Sequence, residues 1–108
     1  MTIAYKTLGQ SNPASTTLTG LYTVPAATSA VASTLTVCNL GASTTFRVAV
    51  RPAGAALADQ HYLVYDAALN ANDSVMLTLG LTLAATDVVS VYAGTADVAF
   101  GLFGAEKS

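Results

Sequence analysis

The chain has 108 residues, of which 53% are hydrophobic and only 9% charged, with a net charge of −2. That length suits one domain built on one core. Charge this sparse argues against nucleic acid as a partner, because Arg47 and Arg51 are the only basic residues between Lys6 and Lys107 and phosphate neutralisation needs a basic patch.

Residues 1–13 are expected to form an extended arm or an edge strand of a single 1–108 domain, ended by the break from Gly9 to Pro13. Pro25 to Thr28 closes the next strand. Val31, Leu35 and Val37 are assigned to one strand face, with Ala32, Thr34 and Thr36 on the other. Phe46, Val48 and Val50 alternate with Arg47, Ala49 and Arg51. Ala53 to Asp59 is the one stretch with helical-turn character. Tyr62 and Val64 make a short alternating pair followed by Asp66, which sets Tyr65 opposite Tyr62. Val75, Leu77 and Leu79 alternate with Met76 and Thr78. Val89 and Val91 alternate with Ser90 and Tyr92, and Val98, Phe100 and Leu102 with Ala99, Gly101 and Phe103. Period-two alternation is the mark of a strand with one buried face. Turn residues separate the runs, and Lys, Glu, Gln and Arg, the usual material of helix surfaces, are scarce. The reading is an all-β chain: a single antiparallel β-sandwich or jelly-roll-like domain of about eight short strands.

Two turns echo one another. Leu69-Asn70-Ala71-Asn72-Asp73-Ser74-Val75 and Leu83-Ala84-Ala85-Thr86-Asp87-Val88-Val89 share a Leu-x-Ala-x-Asp-x-Val pattern. Each aspartate is expected to accept backbone N–H groups just before a strand begins. No Asp-rich loop supplies the six or so oxygens that calcium takes.

Chemistry-bearing residues are few. His61, the only histidine, lies in Asp59-Gln60-His61-Tyr62, with Asp59 on the same strand face and Asp66 nearby. A nucleophile, a shaped oxyanion site and a Gly-x-Ser-x-Gly elbow are not evident around it. Cys38, the only cysteine, ends an apolar strand and reads as a small half-buried side chain. One Cys and one His do not close a zinc shell. The glycines of Leu79-Gly80-Leu81 and Phe100-Gly101-Leu102-Phe103-Gly104 lack a phosphate-loop fingerprint and are expected to mark bulges or close backbone approaches. No enzyme activity, metal or cofactor is expected. What remains is surface. Alternation turns Tyr92 outward if Val91 is buried, Phe103 outward if Leu102 is buried, and Tyr65 away from Tyr62. Exposed rings on a charge-poor surface suggest protein contact, so Tyr65, Tyr92 and Phe103 are the candidate interface residues. Carbohydrate binding by the tyrosines is the alternative from another class.

Several segments carry a likeness. They are Gly9-Gln10-Ser11-Asn12-Pro13, Leu21-Tyr22-Thr23-Val24-Pro25-Ala26, Val37-Cys38-Asn39, and the stretch from Phe46-Arg47-Val48-Ala49-Val50 through His61-Tyr62-Leu63-Val64-Tyr65-Asp66. The Leu83 to Val89 turn and the terminal Phe100-Gly101-Leu102-Phe103-Gly104 complete it. Together they resemble small β-sandwich virion structural proteins of tailed bacteriophages, of the tail-fibre, baseplate-accessory or capsid-cement type. The resemblance implies a virion component assembled in the bacterial cytoplasm. Its implied partners are other virion proteins and further copies of itself, with neither nucleic acid nor membrane insertion. Tail fibre or baseplate is the first expectation, and capsid decoration the alternative. The resemblance brings no residue roles with it.

Overall fold

The computed structural model describes residues 2–108; Met1, first residue of the expected arm, lies outside them. Eight strands follow in order: β1 (Ile3–Ser11), β2 (Thr19–Thr23), β3 (Ser29–Asn39), β4 (Thr44–Arg51), β5 (Tyr62–Leu69), β6 (Ser74–Leu83), β7 (Val88–Ala93) and β8 (Val98–Lys107). They form two antiparallel four-stranded sheets, ordered β1-β8-β3-β6 and β2-β7-β4-β5. The pairing is nested. First strand pairs with last, β2 with β7, β3 with β6 and β4 with β5. A long hairpin rolled across two sheets in this way is a jelly roll.

The core lies between the sheets. Leu35, Val37, Phe100 and Leu102 of the first sheet meet Phe46, Val48, Val89 and Val91 of the second, all buried. The Phe46 and Phe100 rings pack tilted, with centroids 6.3 Å apart. Inward positions follow the alternation on β4, β7 and β8. On β3 they do not. Val31 is exposed and Ala32 is buried, so Val31 shares the outer face with Thr34 and Thr36 rather than the core face with Leu35 and Val37. The cause is a bulge at Ser33, where one extra residue reverses the strand's parity. β1 bulges at Leu8 against β8, and β6 carries an extra residue beside Gly80, which adopts φ +74°. A line of bulges therefore crosses the first sheet while β8 runs through it regularly. Gly104 sits on this line. A Cβ there would run into the Val31 carbonyl. Gly9 meets the Leu21 carbonyl in the same way, and β1 runs through this glycine to Ser11 instead of breaking there.

The two flanks of the sandwich differ. On the β1–β2 side the sheets come together, and Leu8, Leu21 and Tyr22 are buried. The Tyr22 hydroxyl donates to Glu106 Oε2 at 2.5 Å, and Lys6 Nζ donates to Glu106 Oε1 at 3.1 Å. These contacts tie β2 of one sheet to β8 and β1 of the other. Burial, then the neighbouring carboxylate, raises the Tyr22 pKa above its ordinary 10.0. The hydrogen bond from Tyr22, followed by that from Lys6, lowers Glu106 below its ordinary 4.5. On the β5–β6 side the core residues Val64, Ala67, Val75, Leu77, Leu79 and Leu81 are only partly covered.

Turn chemistry fixes the ends. Asn72 and Thr86, at matching places in the two echoed turns, both have positive φ, 56° and 68°. Asp73 Oδ1 accepts from the Ser74 N–H, while Asp87 accepts from the N–H groups of Ala84 and Ala53. Asn39, buried at the end of β3, donates through its amide to the carbonyls of Ala42 and Asn70 and accepts from the Gly41 N–H. It fastens the β3–β4 loop to the β5–β6 loop. The β4–β5 connection holds two short 3₁₀ turns, Pro52–Gly54 and Asp59–His61. It lies on the outer face of the second sheet, where Arg51 donates to Ser90 Oγ and to the Ala55 carbonyl. Ser90 and Ala49, outward by alternation, are buried there.

Candidate interaction surface

The rest of that outer face, beyond the β4–β5 connection, carries one organised cluster. Arg47 and Tyr92 are cross-strand partners on β4 and β7. On the other side of β4, the register jumps from Phe46–Ala67 to Val48–Val64, so Tyr65 and Asp66 both stand against Arg47. Asp66 takes φ 50°, a left-handed conformation at the bulge. The Arg47 guanidinium lies 4.3 Å from the centroid of Tyr65 and 4.3 Å from that of Tyr92, sandwiched between the rings. Its Nε donates to Asp66 Oδ1 at 2.6 Å and its Nη2 to Asp66 Oδ2 at 3.2 Å, a bidentate pair. The carboxylate holds the guanidinium pKa above its ordinary value. Planar charge, fixed fork and flanking rings make this a rigid unit with its positive charge neutralised in place.

Tyr62 extends the cluster. Its ring meets Tyr65 edge-to-face at 4.9 Å. The two tyrosines therefore share a side, contrary to the alternation that sets them opposite. A second register shift, between Val48–Val64 and Ala49–Tyr62, adds a residue at Leu63 and undoes the simple period. Asp59, Tyr62 and Tyr65 line a shallow cleft of about 320 Å³. His61 does not share a strand face with Asp59. Both belong to a 3₁₀ turn, and His61 Nδ1 accepts from the Ala58 N–H at 3.1 Å.

Phe103 lies elsewhere, on the outer face of the first sheet. It is half-buried, its ring against Gly101, where a Cβ would press within 3.1 Å of it. Tyr5, Val31, Phe103 and Ala105 border an apolar cleft of about 430 Å³, and Tyr5 is 85% exposed. Of the three candidates, Tyr65 and Tyr92 thus form one site through Arg47, while Phe103 belongs to the opposite face. Arg47 was not singled out in the sequence. Two signals point to it: a lone cation between Phe46 and Val48, and a mid-strand Asp66 in a chain with so few charges.

Cys38 is a half-buried residue of β3, with Ser74 and Ala99 as strand partners. Among the described residues no three His, Cys, Asp or Glu side chains converge, and no helix is long and apolar enough to cross a membrane. No family model, curated protein or solved structure matches this chain.

Proposed function

We propose that the chain is a structural or assembly subunit of a tailed-phage particle, packing against tail-fibre or baseplate proteins through its charge-poor outer faces. The Tyr65–Arg47–Tyr92 stack carries this reading. Tyr and Arg dominate the residues that hold protein interfaces together. A stack already ordered by Asp66 loses little side-chain freedom on docking. Support at the level of architecture comes from the jelly-roll strand order, which viral capsid and lectin domains share. The phage setting itself comes from the sequence resemblance.

The test is to purify particles from the source strain, separate tails from capsids, and probe both with an antibody to this chain. Presence in the tail fraction is expected. Tyr92→Ser, which breaks the stack and whose folding is checked by thermal unfolding, is expected to load at least about tenfold less, and Phe103→Ser reports on the other face. Particles devoid of the chain overturn the proposal. Signal confined to capsids transfers it to the decoration alternative.

The Asp59–Tyr62–Tyr65 cleft favours a second reading, a carbohydrate-binding module for host-surface glycans. Ring faces receive the C–H surface of a sugar, and a carboxylate receives its hydroxyls. Saturable binding on a glycan array, lost in Tyr62→Ala, is the expected result. A blank array removes this reading and leaves the first untouched.

A further inference from the structure

A jelly roll leaves four strand edges, here β1 and β6 on one sheet and β2 and β5 on the other. An open edge presents unpaired N–H and C=O groups, and proteins blunt such edges with charges, bulges or shortness. Three of the four are blunted. β1 carries Lys6 and the bulge at Leu8. β2 is five residues long and bulged at Leu21. β5 has two register shifts and the left-handed Asp66.

β6 is different. Its segment from Ser74 to Thr78 contains no charge, no proline and no bulge, and the irregularity takes in only Leu79 and Gly80 beyond it. The segment is mostly apolar, uncharged and free of proline, features that favour pairing with another strand. Beneath it the flank is open, with Val75, Leu77 and Leu79 only partly covered on the core side and Met76 76% exposed on the outer side.

We infer that the free edge of β6 docks β6 of a second copy, antiparallel, across a two-fold axis at Leu77. Two features select a second copy over another occupant. The segment is self-complementary about Leu77: Val75 falls opposite the partner's Leu79, and Met76 opposite the partner's Thr78, so apolar side chains meet on the core side. Among the described edges, β6 alone keeps an uncharged run clear of its bulge, so its best-matched partner edge is its own copy. The two β1-β8-β3-β6 sheets become one continuous sheet of eight strands, and the leucine row of each flank is capped by its mate. This contact lies apart from the Tyr65–Arg47–Tyr92 stack and stands whether or not the particle reading holds.

Sedimentation velocity on the full chain from about 1 to 200 µM is expected to show monomer passing to dimer. Met76→Lys sets two like charges beside the axis at an exposed position and is expected to weaken association at least about tenfold. Thr17→Lys adds the same charge in the exposed β1–β2 turn and leaves association unchanged. Monomer throughout the range, or a dimer that Met76→Lys does not weaken, overturns the inference. Amide hydrogen exchange is an independent check. Slower exchange along β6 at the higher concentration is expected, and concentration-dependent protection at β1, β2 or β5 instead overturns it.

Discussion

Replacing Tyr22 by Phe removes one oxygen from the closed flank and leaves the ring in place. The hydroxyl donates at 2.5 Å to a carboxylate whose side chain is 15% exposed. A hydrogen bond to a charged group is worth roughly 1.5–3 kcal/mol. Glu106 keeps its Lys6 partner at 3.1 Å in the variant, and water can reach it, so the expected loss is about 1–2 kcal/mol. In a domain this size that is a fall in Tm of roughly 5–10 °C. The pH profile is the sharper observable. Glu106 titrates below its unfolded value of 4.5, so its share of stability is present above that pH and is lost as pH falls through the lower folded pKa. Tyr22 titrates above 10.0, so its share is complete below pH 10 and is lost as pH rises through the higher folded pKa. The parent protein is expected to show a plateau with both shoulders. Tyr22→Phe removes the alkaline shoulder contributed by this pair and shrinks the acid one to the part owed to Lys6. Urea unfolding from pH 3 to 11, repeated with Glu106→Gln and the double variant, measures the coupling. A Tyr22→Phe stability within about 0.3 kcal/mol of the parent, or an unaltered alkaline shoulder, refutes the coupling of the sheets through this bond.

Asn39→Ala strips a buried amide from the carbonyls of Ala42 and Asn70 and leaves the Gly41 N–H without its acceptor. A loss of about 2–4 kcal/mol in urea unfolding is expected, and one below about 1 kcal/mol would mean that backbone contacts alone hold the two loops. Thr86→Asn puts a residue tolerant of positive φ where a β-branched one now sits, as Asn72 already does in the matching turn. A gain of about 0.5–1 kcal/mol by thermal or chemical unfolding is expected, and no gain would mean that the Thr86 contacts offset its backbone strain.

The class of fold is legible in this sequence because the core-facing residues of β4, β7 and β8 alternate without interruption. Val31 shows where legibility stops. Nothing in Ala32-Ser33-Thr34 announces an extra residue, because a bulge is defined by the count on the partner strand. The glycines are better signals: Gly80 and Gly104 lie on the bulge line for which their lack of a side chain suits them. Outward placement of Arg47 and Tyr92 also follows from alternation. Their contact needs the β4–β7 register, and Tyr65 joins them only through a bulge on β5, so the cluster had to be seen to be assembled. Ser90 fails for another reason. The loop that covers it is the irregular β4–β5 connection, which has no period to read.

The nested pairing has a consequence for how the chain reaches this state. β8, which leaves the ribosome after the other seven strands, belongs in the middle of its sheet, between β1 and β3. Until it arrives, those two strands have no common partner, and Thr2 and Ser108 exchange backbone hydrogen bonds only when the hairpin has closed over its whole length. Contacts are therefore distant in sequence, which places folding on the millisecond-to-second scale typical of sandwiches. During that wait β3 and β6 can already pair, but β3 lacks its β8 neighbour and the uncharged outer edge of β6 is open. The interval before β8 inserts is when chains synthesised side by side on one message are most exposed to pairing with each other in the wrong register.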